Sequence, residues 1–332
     1  MGEYARCLMI ATALTRRVPG LEVHFVLSSA APYAAATPFP TTLLPSSATF
    51  HPREVRALIR ELKPRVVVFD NAGRTVQLRA AHEVAARIVY VSSRRRQRRK
   101  AFRLRWMRLI DEHWIAYPRF IAGALNPLER LKLRALQRPA VRFVDTLLPA
   151  ADLARSNECL ARFALEAGGY VLIVPGGGSA HRGAEDAPAI VAAAARSIAR
   201  RVPTLLVGAD SPGGQPVAFL RVAQRLPPAE LVELIRTARL VVCNGGDTLL
   251  QVLACSVPCV AVPIAHDQSH RIDCCARAGL AVRSELNARA IESAALAALE
   301  QGRHGGGEAP GDRPRVRNRM EDVLEALTKL LL

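Results

Sequence analysis

The chain has 332 residues, half of them apolar, with 46 Lys and Arg against 29 Asp and Glu, a net charge of +17. That length suits two domains rather than one core, no apolar run reaches the ~18 residues of a membrane span, and the N-terminus lacks the charged start, apolar core and cleavage site of a secretory signal. Seven cysteines form no CxxC pair, which excludes a disulfide framework or a cysteine zinc site and fits a reducing cytoplasm. The charge is uneven: residues 1–150 hold 26 basic and 10 acidic side chains, +16, and residues 151–332 only +1. The first half is therefore expected to meet something anionic.

Gly2-Glu3-Tyr4-Ala5-Arg6 leads into CLMIATAL, which reads as a glycine loop entering a helix. A doubly wound domain places a strand before such a loop, and only Met1 stands there. The expectation is that no strand precedes Gly2, the first strand lying upstream of Met1 or being absent from the domain. LEVHFVLSS (21–29), PRVVVFD (64–70) and RIVYVSS (87–93) read as buried strands, and HPREVRALIRELKP (51–64) as an amphipathic helix.

The segment SSRRRQRRKAFRLRWMRLIDEHW (92–114) holds nine basic residues between Arg94 and Arg108, interleaved with aromatic and aliphatic side chains. Arg94, Arg95, Arg96, Arg98, Arg99, Lys100, Phe102, Arg103 and Trp106 read as a basic amphipathic helix for an anionic lipid surface or an anionic acceptor. RNA binding and a plain solvated face are the rivals.

Leu147-Leu148-Pro149-Ala150 closes the first pattern, and Gly168-Gly169 opens a second. The expected organisation is a first domain over 1–150, a linker over 151–168, a second domain over 169–315 and a closing helix over 316–332. In the second half, strands are expected at 170–176, 204–210, 239–245 and 258–264, with helices such as 187–199 and 228–238 between them. The repeated β-α alternation predicts an α/β chain of two doubly wound Rossmann-like domains.

Three loops carry candidate chemistry. Gly176-Gly177-Gly178-Ser179 ends one strand, where exposed N–H groups can hold phosphate oxygens or simply make a strand-to-helix turn. Asn244-Gly245-Gly246-Asp247-Thr248 ends another, with Asp247 or Thr248 expected to cap the next helix and Gln251 one turn on. Asp267-Gln268 follows a third strand and suits sugar hydroxyls. In doubly wound sheets ligands bind beyond the carboxyl ends of strands, so the three loops are expected on one edge. Neither an Asp-x-Asp nor an HExxH pattern occurs, and no metal site is expected.

Pro227-Pro228-Ala229-Glu230-Leu231, Gly245-Gly246, Thr248, Gln251, Pro258, Pro263, Asp267-Gln268 and Gly279 together resemble the donor-binding domain of GT-B nucleotide-sugar glycosyltransferases. The pattern is most similar to the bacterial N-acetylglucosaminyltransferases that form lipid II, and to the wider UDP-glycosyltransferases. It covers 226–282, and extends more thinly to 176–179 and 2–14. The resemblance implies two domains facing across a cleft, a UDP-sugar as co-substrate, no cofactor and no catalytic metal. It implies that Gly177, Gly178, Ser179, Gly245, Gly246, Asp247 and Thr248 hold the diphosphate. The segment around Leu226 to Leu231 would present backbone groups to the uracil, Gln251 would bind the ribose, and Asp267 and Gln268 the transferred sugar. It also implies an anionic, lipid-linked acceptor on the first domain and a peripheral place on the inner membrane surface. Three positions depart from the family. Glu3 stands where it has His, Gln251 where it has Glu, and Ser256 where it has Gly. Glu3 is the candidate base if its pKa is raised; it otherwise only caps a helix. A UDP-sugar hydrolase or epimerase on the same fold, and a nucleic-acid-binding protein, are the alternatives.

Overall fold

The computed structural model describes residues 2–31, 34, 37–176, 186–208, 217–224, 226–304 and 314–332. The chain divides into two compact units, Glu3–Asp145 with Arg319–Leu332, and Thr146–Asn318.

In the first unit, α1 (Gly2–Arg17) buries Ile10, Ala11 and Leu14 along one stripe. It leads to β1 (Phe25–Ser28) and β2 (Thr41–Leu44), which pair in parallel. The expected helix forms as α2 (Pro52–Leu62), opened by proline and closed by Lys63 in the left-handed region. Next come β3 (Val66–Asp70), α3 (Thr75–Glu83), β4 (Arg87–Ser92), α4 (Arg95–Ala101), α5 (Leu104–Met107), β5 (Glu112–Ala116), α6 (Arg119–Ala122), α7 (Pro127–Leu136) and β6 (Ala140–Val144). Strands β3-β4-β5-β6 form a parallel sheet in that order. Val55 and Ile59 of α2, Leu78 of α3, Ile88 and Tyr90 of β4 and Trp106 of α5 form its main core.

The sheet of this unit is in two pieces. β1 pairs with β2 and β3 with β4, and among the described residues no strand precedes α1, as expected from the sequence. In a doubly wound sheet the strand feeding α1 would lie between β1 and β3. β3 accordingly behaves as an edge: Val68 is 38% exposed, whereas Ile88, Val89 and Tyr90 of β4 are fully buried.

The second unit begins with α8 (Leu153–Arg162). Residues 151–168 are thus not a bare linker. Asp152 caps α8 by accepting from the Arg155 N–H, and Arg162 pairs with Glu230 of the following fold. The unit continues with β7 (Val171–Val174), α9 (Ala187–Ile198), β8 (Thr204–Val207), β9 (Leu220–Ala223), α10 (Pro228–Thr237), β10 (Leu240–Asn244), α11 (Asp247–Ala254), β11 (Cys259–Val262), α12 (Ser269–Arg277), β12 (Val282–Arg283) and α13 (Ala288–His304). All six strands are parallel, in the order β12-β11-β10-β7-β8-β9. Their apolar runs are buried on both faces, as parallel strands require, and Val191, Ala195 and Ile198 of α9 with Ile291 and Ala295 of α13 cover one of them. The closing helix α14 (Met320–Leu331) lies with the first unit, where it buries Val323, Leu324 and Leu327, and Arg17 reaches Glu321 at 2.6 Å.

Candidate functional site

In the second unit β10 lies between β7 and β11, so three strands deliver their carboxyl-end loops side by side. These are Pro175-Gly176, Asn244-Gly245-Gly246, and residues 263–268. Two of the glycines are dictated by close approach. Gly176 has φ +103°, and a Cβ there would sit 2.2 Å from Asn244 Nδ2. A Cβ on Gly245 would sit 2.7 Å from Ile272 Cγ1 and 2.8 Å from Gln268 Cβ. Gly177, Gly178 and Ser179 lie outside the described residues.

The helix after β10 is capped differently from the sequence expectation. Gly246 occupies the N-cap of α11, Asp247 and Thr248 are its first two helical residues, and no side chain caps it. Asn244 Oδ1 takes the Gly246 N–H at 3.0 Å. Gly246 has no side chain with which to cap this turn, which stands at the centre of a sheet edge, where the helix dipole favours an anion. Thr248 and Gln251 are half-buried on α11, and the Gln251 side chain makes no hydrogen bond to a described residue.

Asp267 and Gln268 separate in role. Asp267 is exposed, but Gln268 is buried, and its Oε1 accepts from the Ile264 and Ala265 N–H groups at 2.9 and 3.3 Å. The Gln268 carboxamide oxygen therefore shapes the loop, which leaves only its NH₂ for a ligand. Leu226 and Leu231 are half-buried beside the start of α10, beyond β9. Sequence reasoning missed Arg271, buried on α12 with its guanidinium on the Gly245 carbonyl. It was visible in PIAHDQSHR, though its long-range partner was not.

In the first unit Glu3 sits in the first turn of α1, half-buried, within a polar cluster at the carboxyl ends of β3 and β4. Asn71, at φ +54°, donates to Glu3 Oε1 at 3.2 Å and to Ser93 Oγ at 2.6 Å, while its Oδ1 takes the Ser93 N–H at 2.8 Å. Arg6 binds Asp70 bidentately at 2.8 and 3.0 Å, both side chains being buried. Burial alone would raise the Glu3 pKa, but its own backbone N–H, the Arg6 charge and Asn71 hold it below the ordinary carboxylate value. The raised pKa on which its role as base was conditioned is therefore not found. Asp70 and Asn71 end a strand, the same signal that singled out the loops of the second unit.

The basic run is not one amphipathic helix. It breaks at Phe102-Arg103 into α4 and α5, and both aromatic residues point inward, Phe102 3% and Trp106 0% exposed. Trp106 Nε1 donates to Thr75 Oγ1 at 2.9 Å, and its ring meets Tyr90 edge-on. Arg98 is also committed, to Glu129 at 2.7 Å and to the Ala122, Gly123 and Ala124 carbonyls. Lys100 donates to Gly73 O at 2.6 Å and stands 4.4 Å above the Trp106 ring. These four are structural because a chain segment this apolar on one side folds that side onto its own core. Arg94, Arg95, Arg96, Arg99 and Arg103 stay exposed. Among the described residues no helix is long and apolar enough to cross a membrane, and no three His, Cys, Asp or Glu side chains gather as metal ligands.

No family model and no curated protein sequence matches the chain. Solved structures do. The spinosyn forosaminyltransferase SpnP is 13% identical with a TM-score of 0.64, over 99% of this chain and 96% of that one. Phytolacca americana UGT2, complexed with UDP-2-fluoro-glucose and pterostilbene, is 12% identical at 0.62, over 100% and 98%. A putative UDP-N-acetylglucosamine 2-epimerase from Listeria monocytogenes is 12% identical at 0.57, over 91% and 86%. At these identities the likeness is one of fold, and the chain has the GT-B fold of the nucleotide-sugar glycosyltransferases.

Proposed function

We propose that this chain is a glycosyltransferase that moves a sugar from a UDP-sugar to an anionic, lipid-linked acceptor in cell-envelope glycan synthesis, on the cytoplasmic face of the membrane and without a metal ion. The observation that carries the donor half is the N-terminus of α11, which starts from the Gly245-Gly246 turn and is set between the loops that follow β7 and β11. A diphosphate placed there meets backbone N–H groups and the positive end of a helix dipole. Gly245, Gly246, Asp247 and Thr248 supply that turn, and Gly177, Gly178 and Ser179 follow the Gly176 turn on the neighbouring strand. The amide of Gln251, without a hydrogen-bond partner among the described residues, suits a ribose hydroxyl, and the exposed Asp267 a sugar hydroxyl. The segment around Leu226 and Leu231 presents backbone groups to the base. UGT2 and Arabidopsis thaliana UGT89C1, solved with UDP-2-fluoro-glucose and with UDP, are the similar structures that favour a uridine donor.

The acceptor half rests on charge. The first half carries +16 of the +17, which attracts an anionic acceptor. In the reaction the acceptor hydroxyl attacks the anomeric carbon as the bond to UDP breaks. Charge developing on the leaving diphosphate falls on α11, an electrostatic stabilisation already in place before reaction. Glu3 takes the hydroxyl proton. Its lowered pKa keeps Glu3 ionised and so able to accept a proton, at a cost in base strength.

The epimerase likeness supports a second reading, in which water or an enzyme base replaces the acceptor. Incubation with UDP-sugars, with and without polyprenyl-diphosphate-linked acceptors, separates them. The proposal expects UDP release to be slow alone and at least about 10²-fold faster with acceptor, an increase that Glu3→Gln removes. Fast acceptor-independent release of UDP, or isomerised donor, would overturn it.

A further inference from the structure

We propose that Arg271 is a positioning residue of the donor site, holding the Gly245-Gly246 peptide in the orientation that presents the N-terminus of α11 to a diphosphate. The inference rests on the reading of this sheet edge as a donor site, and adds a residue that acts through the turn rather than on the donor itself.

Two consecutive glycines make the least constrained peptide unit a chain can carry, since neither residue has a Cβ to resist rotation. Such a unit can stand with its carbonyl or with its N–H toward the edge. Here both of its polar groups are held. The Gly245 carbonyl is turned into the protein, where it accepts from the Arg271 guanidinium in a buried hydrogen bond. The Gly246 N–H of the same unit donates to Asn244 Oδ1 at 3.0 Å. A flip of the unit would free the carbonyl from α12 and set its oxygen beside the positive end of α11, where it would repel an anion.

The packing makes Arg271 a strut between loops. It is 8% exposed, and its neighbour Ile272 is fully buried and so close to the turn that a Cβ on Gly245 would sit 2.7 Å from Ile272 Cγ1. Gln268, one turn earlier, abuts the same glycine and holds the Ile264 and Ala265 N–H groups of the loop after β11. Asn244 reaches the other way, its amide against Gly176 in the loop after β7. Arg271, Gln268 and Asn244 thus tie the three loops of the edge together. A charged donor holds a carbonyl more firmly than a neutral one. The guanidinium also keeps a full positive charge one hydrogen bond from the turn, in a buried setting where charge acts strongly on an anion.

The test is a titration of the full chain with UDP and with uridine, which has the base and ribose but no diphosphate. Binding is followed by ligand-observed NMR in the wild type, R271Q and R271K. R271Q should weaken UDP binding by about 10- to 100-fold, the loss expected for a charged hydrogen-bond donor, and leave uridine binding unchanged. R271K keeps the charge without the planar fork and should fall between the two. A merely structural Arg271 would lower the ligand-free melting temperature and the affinities for UDP and uridine together. That result, or equal UDP binding by the wild type and R271Q, would overturn the proposal and leave the donor reading standing. Absence of UDP binding by the wild type would overturn the donor reading and this proposal with it. If R271Q does not fold, R271K decides alone: UDP affinity lowered with uridine affinity kept supports the proposal, and any other pattern overturns it.

Discussion

Gln251 shows what a residue-level pattern can carry. Its type departs from the Glu of the family it resembles, and on α11 its side chain has no hydrogen-bond partner among the described residues. Glu3 was equally legible, as the residue following the first glycine. Its setting was not, since Asn71 lies 68 residues away and the Arg6–Asp70 pair spans 64. Periodicity reads neighbours along a helix or strand and does not report which distant polar groups meet. His113 is a similar case. It is fully buried on β5 with Ser92 Oγ 2.8 Å from its Nε2, and burial first, then the Arg98 charge, pushes its pKa down to about 3. The folded-state pKa lies below the unfolded value near 6.5, so the unfolded chain binds the extra proton. This stability is complete above about pH 6.5 and is lost as pH falls from there toward about 3, by up to about 1.4 kcal/mol per pH unit. Urea unfolding between pH 5 and 7.5 should show that slope in the wild type and lose it in His113→Gln. Equal slopes would show that His113 titrates alike in both states.

At the scale of elements, the strands β3, β4, β7, β8, β10 and β11 were legible because each is built on an apolar run, although β3, read as buried, has only Phe69 buried. β5 was not, because its sequence EHWIA mixes charged and apolar residues and follows the basic run. The strand is buried throughout because its polar groups are paired: Glu112 with Arg142 at 2.7 Å and with Trp114 Nε1 at 2.9 Å, and His113 with Ser92. The basic run itself was misread for a related reason. Composition shows that aromatic residues interleave with arginine, but only packing shows which side they take. Trp106→Ala should therefore cost about 3–5 kcal/mol in urea unfolding, the loss expected for a large core side chain. A loss below about 1 kcal/mol would place Trp106 on the surface.

At the scale of the whole molecule, the β-α alternation and the charge contrast between the halves were both legible, and together they specify two doubly wound units with most of the charge on the first. The chain's return to the first unit through α14 was not, because the helix that ends the chain carries no mark of the core it joins. That no strand precedes Gly2 was legible, but the parting of the sheet into β1-β2 and β3-β4-β5-β6 was not read from the sequence. The three candidate loops were legible as a set, because strand ends rich in Gly, Asp and Gln converge only if the sheet is parallel and doubly wound. The most direct measurement of the central claim is a thermal-shift titration with UDP-, GDP- and dTDP-sugars, run on the wild type and on Gln251→Ala. A UDP-sugar at about 100 times its Kd stabilises by ~2.7 kcal/mol and should raise the wild-type Tm by about 5 °C. The same concentration should raise it less in Gln251→Ala, whose affinity is expected to fall about 3- to 10-fold. A Tm indifferent to every UDP-sugar, or one raised by GDP- or dTDP-sugars alone, would contradict the account.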